Sequence, residues 1–342
     1  MVYIVIFLLF LNQYFINTSL HYMKNFFLSL LSCPKSGSPL KIKKNKNGKS
    51  FLITESGNKF KIQNKVIRFE NNKNYSKNFG HQWQKFSKIQ LDSFNGTNIS
   101  EDRFFLATGW NKSEMKNKLI LDVGCGSGRF TEVALKYGAK VVAIDYSKSV
   151  DVAQKNLGKY KNALFIQSNI YSLPFKKKKF DFVFCLGVLQ HTPNVEKAFK
   201  CLPDLLKKKG KICVDYYWKR PKTLLNSKYL FRPITKRIPN EKLFKIIKFI
   251  FPFFYGISNL ISLLPYGIYL RRLLPISNYK GIYKLSNQQH YEWALLDTYD
   301  MLAPTYDNPQ TKKDVIKWMK DCSMKKVRCL HAGHLIVRGI KI

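Results

Sequence analysis

Residues 119–130 read Leu-Ile-Leu-Asp-Val-Gly-Cys-Gly-Ser-Gly-Arg-Phe, an apolar run followed by three glycines at alternate positions. Glycine has no Cβ and tolerates positive φ, so such a loop lets a ligand approach the backbone, and the helix that follows offers its free N–H groups. A dinucleotide fingerprint is spaced Gly-x-Gly-x-x-Gly and keeps its strand apolar. Here the glycines are 124, 126 and 128, and Asp122 precedes them. The stretch predicts a strand, a cofactor loop and a helix.

Repeated strand and helix patterns surround this loop. The run Lys140–Asp145 ends in an acid 23 residues after Asp122, where a carboxylate would face a ribose. Further strands are predicted at 163–167, 180–185, 211–217, 326–330 and 334–340, and helices at 129–137, 147–157, 195–206 and 311–319. Alternating βα units predict an α/β fold with a doubly wound, mostly parallel sheet and right-handed crossovers. Ligands of such sheets bind at the carboxyl ends of the strands.

At these residues the sequence resembles the class I S-adenosylmethionine-dependent methyltransferases, whose fold is a seven-stranded Rossmann-like sheet. The resemblance implies that the glycine loop holds the amino-acid end of the cofactor, that Asp145 binds the ribose hydroxyls and that Asn169 contacts the adenine. The family often has an acid at the last position, but an amide can also bond an exocyclic amine. The cofactor-binding residues implied are Asp122, Gly124, Cys125, Gly126, Gly128, Asp145, Tyr146, Asn169, Ile170, Leu186 and Gly187.

Five further residues are candidates for the chemistry. An oxygen acceptor must lose its proton, and His191 is the best-placed base because imidazole titrates near neutral pH; in the resembling family a histidine here often only closes the cofactor site. His81 and Trp83 either contact substrate or pack under a loop. Asp297 and Asp300 lie in an acidic, aromatic stretch that either lines the substrate pocket or is ordinary surface.

Composition limits the partners and the compartment. The formal charge is +38, which alone would suggest an anionic partner, but only ten of the 59 basic residues are arginine, the residue that nucleic-acid readers favour. Lysine with abundant Asn, Ile and Phe is typical of an AT-rich genome, so nucleic acid is not the expected partner. Seven cysteines without a Cys-x-x-Cys pair indicate a reducing compartment, and a cytoplasmic location is expected. The oligomeric state cannot be read from the sequence.

The N-terminal region is predicted in two parts. Residues 1–22 are an apolar extension without a signal-peptide pattern, and translation is expected to start at Met23. Residues 23–75 are predicted to be a small β module with strands at 41–43, 50–54 and 59–69. It resembles the zinc-ribbon-like domain that precedes some bacterial methyltransferases. A ribbon needs about four Cys or His ligands; between residues 23 and 80 there is only Cys33, so a metal-free module is expected.

Residues 218–285 interrupt the βα pattern, and the methyltransferase domain is assigned to 76–217 and 286–342. Residues 249–270 contain no charge and have basic flanks, which is typical of a membrane span. A span would separate the last two strands from their sheet, and Pro252, Gly256, Pro265 and Gly267 predict several short helices. An apolar cap over the active site is favoured. A membrane-surface element with peripheral contact through 245–272 is the second interpretation, and a true span is the third.

Three functions follow. The first is methyl transfer to a small-molecule, sugar or lipid-linked acceptor, with the apolar cap favouring an amphiphilic one. The second is an RNA or DNA methyltransferase, although enzymes that methylate exocyclic base amines usually carry a Pro-Pro-aromatic run where residues 186–189 read Leu-Gly-Val-Leu. The third is a non-catalytic, cofactor-binding protein that keeps the fold to bind a partner.

Overall fold

The structure is a computed structural model that describes residues 25–70, 74–221, 223 and 226–342. The expectations for residues 1–22 and for a start at Met23 lie outside this part. Within the described residues, strands β1 to β11 form one sheet in the order β1-β2-β3-β4-β7-β6-β5-β8-β9-β11-β10. Their bounds are Lys41–Lys44, Ser50–Ile53, Lys59–Gln63, Val66–Arg68, Leu119–Val123, Lys140–Asp145, Ala163–Gln167, Phe180–Cys185, Leu206–Tyr216, Met324–Ala332 and His334–Lys341.

The seven strands from β5 to β11 form the predicted doubly wound sheet. Strands β5 to β9 run parallel, and β11 pairs antiparallel between β9 and β10. All five residues of β5 are buried, as expected of a central strand covered on both faces. The predicted Rossmann-like methyltransferase fold is confirmed, and the strands predicted at residues 140–145, 163–167 and 180–185 have those bounds.

The four N-terminal strands are part of the central sheet. β1 to β4 pair antiparallel with one another, and β4 then pairs parallel with β7 through Val66 and Phe165, so the four strands extend the central sheet. The predicted strand 59–69 is divided by a turn in which Asn64 and Lys65 have φ of 52° and 63°. No group of three or more His, Cys, Asp or Glu side chains in the described part of the chain could hold a metal ion.

Helices α1 to α11 cover the sheet and build the cap. Their bounds are Lys77–Lys85, Asp92–Asn95, Ile99–Thr108, Arg129–Lys136, Ser149–Leu157, Val195–Lys200, Ser227–Thr235, Asn240–Ile261, Gly267–Leu270, Asn287–Leu302 and Lys312–Asp321. Two large apolar clusters fill the two faces of the sheet. The predicted helix at 195–206 is shorter than expected: it ends at Lys200, Pro203 begins a 3-10 turn, and strand β9 begins at Leu206.

The cap differs from its prediction in one respect. Pro252 and Gly256 do not divide it, because α8 is a single helix of 22 residues that runs through both. A proline inside a helix costs about 3 kcal/mol, but Leu243, Ile247 and Phe251 are buried together with residues of α10, and this packing holds the helix before the proline. The predicted break does occur at Pro265, between α8 and α9.

Candidate functional site

A cavity of about 710 Å³ opens at the carboxyl ends of the parallel strands. Its wall includes the residues that end or follow these strands, Val123, Asp145, Ser168, Leu186 and Tyr217. Residues of α1, α3, α4, α7 and α10 and of the cap complete the wall. The cavity therefore lies where a doubly wound sheet binds its ligands.

The three glycines of the loop after β5 are required by close contacts. Gly124, Gly126 and Gly128 have φ of 81°, 55° and 95°, a backbone region that other residues rarely adopt. A Cβ on Gly124 would lie 2.3 Å from a methyl group of Val188, and one on Gly126 would lie 3.0 Å from Nε1 of Trp83. The first two glycines line the cavity, and the third packs against Leu157 beneath it.

Asp145 is fixed at the end of β6 beside this loop. Its Oδ2 accepts the N–H of Gly126 at 3.0 Å, and its Oδ1 accepts both the N–H and the hydroxyl of Ser147 at 2.8 Å. Burial raises the pKa of this carboxyl, and the hydrogen bonds from Ser147 and Gly126 oppose that shift. Oδ1 already accepts two hydrogen bonds, whereas Oδ2 accepts one and keeps the capacity to accept another, as from a ribose hydroxyl.

Besides Gly128, two predicted cofactor residues lie outside the cavity wall, Asp122 and Asn169. Asp122 is buried and accepts a hydrogen bond from the hydroxyl of Thr131, and burial raises its pKa to about 7. Asn169 turns its Oδ1 to the N–H of Tyr171 at 3.0 Å, in an Asx turn, while its neighbour Ile170 lines the cavity. Both side chains lie behind the wall, and their contact with the cofactor stays a prediction. Cys125, Tyr146, Leu186 and Gly187 line the cavity.

His191 lines the cavity with its ring buried between two aromatic rings. The ring centroids of Phe79 and Tyr217 lie 5.2 and 5.4 Å away. Nδ1 lies 3.0 Å from the carbonyl oxygen of Tyr306, which assigns the proton to Nδ1 and leaves Nε2 as an acceptor. Burial lowers the pKa of the imidazole to about 4, so the ring is neutral at physiological pH.

His81 does not line the cavity, in agreement with the packing alternative, whereas Trp83 does. Nε2 of His81 lies 2.6 Å from a carboxylate oxygen of Glu241 on α8, and its ring packs on Tyr299 and Phe244. His81 thus joins α1 to the cap. The indole of Trp83 lies against Gly126.

Asp297 and Asp300 line the cavity, on the inner side of α10. Oδ2 of Asp297 accepts a hydrogen bond from the hydroxyl of Tyr279 at 2.6 Å, and Asp300 is hydrogen-bonded to the side chain of Gln82. Burial raises the pKa of each carboxyl to about 6, which brings both close to neutral pH. A carboxyl with such a pKa can accept and return a proton under physiological conditions.

Several cationic and aromatic residues of the wall were missed by sequence reasoning. Buried Arg129 donates to Ser100 and Gln90 at 2.9 and 3.2 Å, and burial lowers its pKa to about 10. Lys228 lies 2.7 Å from Asp307 and 4.1 Å from the ring centroid of Tyr217. These residues belong to helices far apart in the chain, and no local pattern indicates that they meet.

Comparisons with known proteins agree with the loop and the sheet. A family model described as a methyltransferase domain matches residues 121–214. The chain carries a class I S-adenosylmethionine-dependent methyltransferase domain. This confirms the predicted domain class, and with it S-adenosylmethionine as the cofactor. The matched residues contain the glycine loop, Asp145, Asn169 and His191 of this domain.

Two curated proteins are similar to part of the methyltransferase domain. The ubiquinone biosynthesis O-methyltransferase of Coxiella burnetii is 30% identical over 128 residues, which cover 36% of this chain and 55% of that protein. The tRNA U34 carboxymethyltransferase of Helicobacter pylori is 31% identical over 137 residues, which cover 38% and 51%. The chain thus spans about half the length of the curated relatives it matches. A solved SAM-dependent methyltransferase from Aquifex aeolicus is 14% identical, with a TM-score of 0.42 and coverage of 77% and 98%.

The residues present fit the cofactor. The backbone of Gly124 and Gly126 borders the cavity without a side chain, Oδ2 of Asp145 can accept a further hydrogen bond from a ribose hydroxyl, and the buried hydroxyl of Ser127 has no hydrogen-bond partner among the described residues. Ser127 and Asp145 both line the cavity. Bound S-adenosylmethionine supplies an electrophilic methyl group; the residues of the domain would hold its ribose and position the acceptor.

Proposed function

We propose that the protein transfers a methyl group from S-adenosylmethionine to a small acceptor of amphiphilic character, such as a sugar or a lipid-linked intermediate. The observation that carries this proposal is the single cavity wall on which Asp145 and the glycine loop are joined by Asp297, Asp300 and aromatic side chains of the cap. An acceptor bound against these groups would lie beside the methyl donor. Alignment and exclusion of water can supply about 7 to 11 kcal/mol of such a barrier.

His191 remains our candidate base for a hydroxyl acceptor, because its Nε2 is unprotonated at neutral pH. Its low pKa makes His191 a weak base. Asp300, whose burial raises its pKa to about 6, is therefore the second candidate. The two assignments give different pH profiles. Loss of rate in Asp300→Asn but not in His191→Gln would transfer the role to the carboxylate.

Binding of the demethylated product, S-adenosylhomocysteine, tests the cofactor site by calorimetry. Asp145→Ala is expected to weaken binding at least tenfold, because a charge-assisted hydrogen bond contributes on the order of 1.5 to 3 kcal/mol. The matched control is Asp204→Ala, an exposed acid that pairs with Lys177 outside the cavity and is expected to bind like wild type. Equal affinities for all three proteins would contradict the assignment of Asp145.

Transfer of a radioactive methyl group from S-adenosylmethionine to extract fractions tests the acceptor class. The wild-type protein, added to an extract of cells that lack the gene, is expected to label the lipid or small-molecule fraction. The Asp145→Ala variant, added in the same way, is expected not to label it. The second function is methylation of RNA; it is favoured by the similarity to a tRNA-modifying protein and by the +38 charge. Label that appears in purified RNA and disappears after ribonuclease treatment would establish this alternative and exclude the first.

A further inference from the structure

The outer surface of the cap carries a continuous set of exposed apolar side chains. On α8, these residues recur at helical spacing along one stripe: Ile246, Phe249, Ile250, Phe253 and Leu260. Phe249 and Phe253 are 86% and 69% exposed. The turn after α8 adds Leu263 and Tyr266, which are 82% and 81% exposed. Contiguous exposed apolar surface of this kind marks a site of interaction with a protein or a membrane.

The opposite side of α8 is attached to the domain. Leu243, Ile247 and Phe251 are buried against α10. By length and composition α8 could cross a membrane. Its most apolar 18-residue stretch has a mean hydropathy of 1.4, and 17% of that stretch is buried. A helix that packs on the domain along one stripe and exposes the other is typical of an element that lies along a membrane surface.

The charges around this apolar face are almost all positive. Glu241 is the single acid between residues 227 and 284, and it is paired with His81 and Lys85. The exposed cations of the segment are Lys236, Arg237, Lys242, Lys245, Lys248, Arg272, Lys280 and Lys284. Basic residues beside an amphipathic helix add attraction to anionic headgroups.

We propose that the cap face, formed by the exposed apolar residues of α8 and of residues 263–273 with their basic flanks, docks on the surface of an anionic lipid bilayer. Helix α7, which precedes this face in the cap, has both cavity-lining residues and exposed apolar residues. Lys228 and Tyr229 of α7 line the cavity, while Leu230 and Ile234 of the same helix are 74% and 67% exposed. Docking would bring the cavity wall next to the bilayer. The proposal does not depend on methyl transfer.

Cosedimentation of the full chain with vesicles tests this proposal. Wild type is expected to bind vesicles of phosphatidylcholine with phosphatidylglycerol, to bind pure phosphatidylcholine less, and to release with added salt. The triple variant Phe249→Glu, Phe253→Glu and Leu263→Glu is expected to lower the partition coefficient at least about tenfold, because burying one phenylalanine alone contributes on that order.

The control variant is Phe94→Glu with Leu106→Glu, since both residues are 57% exposed and lie outside the cap. It should bind vesicles like wild type. Retained affinity of both variants for S-adenosylhomocysteine shows that they are folded, and it separates failure of this proposal from failure of the proposed function.

Equal vesicle binding by the triple variant, or none by wild type at low salt, would overturn the proposal. Sedimentation velocity without lipid provides a further arm. A stable dimer that the triple variant dissociates would assign the face to a second copy of the chain and reject the membrane.

Discussion

The glycine-loop region and the cap face both contain apolar residues but differ in whether these residues are covered. In the loop region, the apolar residues of β5 are buried, and the glycines are fixed by neighbours such as Val188 and Trp83. In the cap, Phe249 and Leu263 are 86% and 82% exposed. Apolar sequence therefore predicts burial only where the topology supplies a covering layer. Substitutions in the loop should therefore impair ligand binding or folding. Substitutions on the cap face should change the stability little but should change what this surface binds.

The largest expected effect is at Gly124. Gly124→Val places branched carbons where a Cβ alone would lie 2.3 Å from Val188, in a backbone region with φ of 81°. Binding of S-adenosylhomocysteine should weaken at least about 100-fold, since the clash with Val188 and the strained backbone each cost more than about 1 kcal/mol and both act on the loop that borders the cavity. Calorimetry measures this affinity, and circular dichroism checks the fold. A folded variant with wild-type affinity would remove the loop from the cofactor site.

The second effect compares a buried and an exposed lysine of the cap. Lys228→Ala removes the ammonium partner of buried Asp307 and leaves it Arg232 at 3.9 Å and the hydroxyl of Tyr229, so the loss should approach but not exceed the roughly 3 kcal/mol of a broken buried ion pair. Lys245→Ala, at an exposed position of α8, should change the free energy of unfolding by no more than about 0.5 kcal/mol. Urea denaturation gives both values. Similar losses for the two variants would show that the inner side of the cap is not attached as described.

The third effect concerns pH. Burial lowers the pKa of His191 to about 4, so the folded protein binds fewer protons there than the unfolded chain, whose histidine titrates near 6.5. Stability linked to this residue is present above pH 6.5 and is lost as the pH falls toward 4. Between pH 7 and 5 wild type should lose about 2 kcal/mol more than His191→Gln. Parallel stability curves for the two proteins would show that the ring is not buried in solution.

The smallest effect is at the glycine inside α8. A Cβ added at Gly256 would meet no atom within 4 Å, and the φ of this residue is not positive. Gly256→Ala should raise the free energy of unfolding by roughly 0.5 to 1 kcal/mol through helix propensity. Thermal denaturation measures it. Destabilisation instead would mean that this part of α8 is covered in solution.

The sequence predicts well where local patterns decide the structure. Strands β6, β7 and β8 have the predicted bounds, and the glycine loop and Asp145 meet at one cavity because parallel strands end at the same edge. Asp297 and Asp300 also reach the cavity, through a helix whose acidic pattern was visible. Their assignment to substrate remains a prediction.

The structure departs from the sequence-based expectations where contacts between distant segments determine it. His81 pairs with Glu241, 160 residues later, and no local signal indicates this pairing. Packing against α10 keeps α8 helical through Pro252, and the three residues of β4 join the sheet only because β7 offers a free edge. Lys228 and Arg129 were missed for the same reason. The positions of these residues depend on contacts between helices and strands that are far apart in the sequence, and local patterns do not indicate which of them pack together.

The two outermost strands of the sheet share a safeguard. β1 reads Lys-Ile-Lys-Lys with all four residues exposed, and β10 carries Lys325, Lys326 and Arg328 at an irregularity in its register. Lysines and bulges at the rim of a sheet discourage a foreign strand from adding to its unpaired backbone groups. Replacing the rim lysines with valine would therefore be expected to promote fibrillar association, although the molecule would keep its fold.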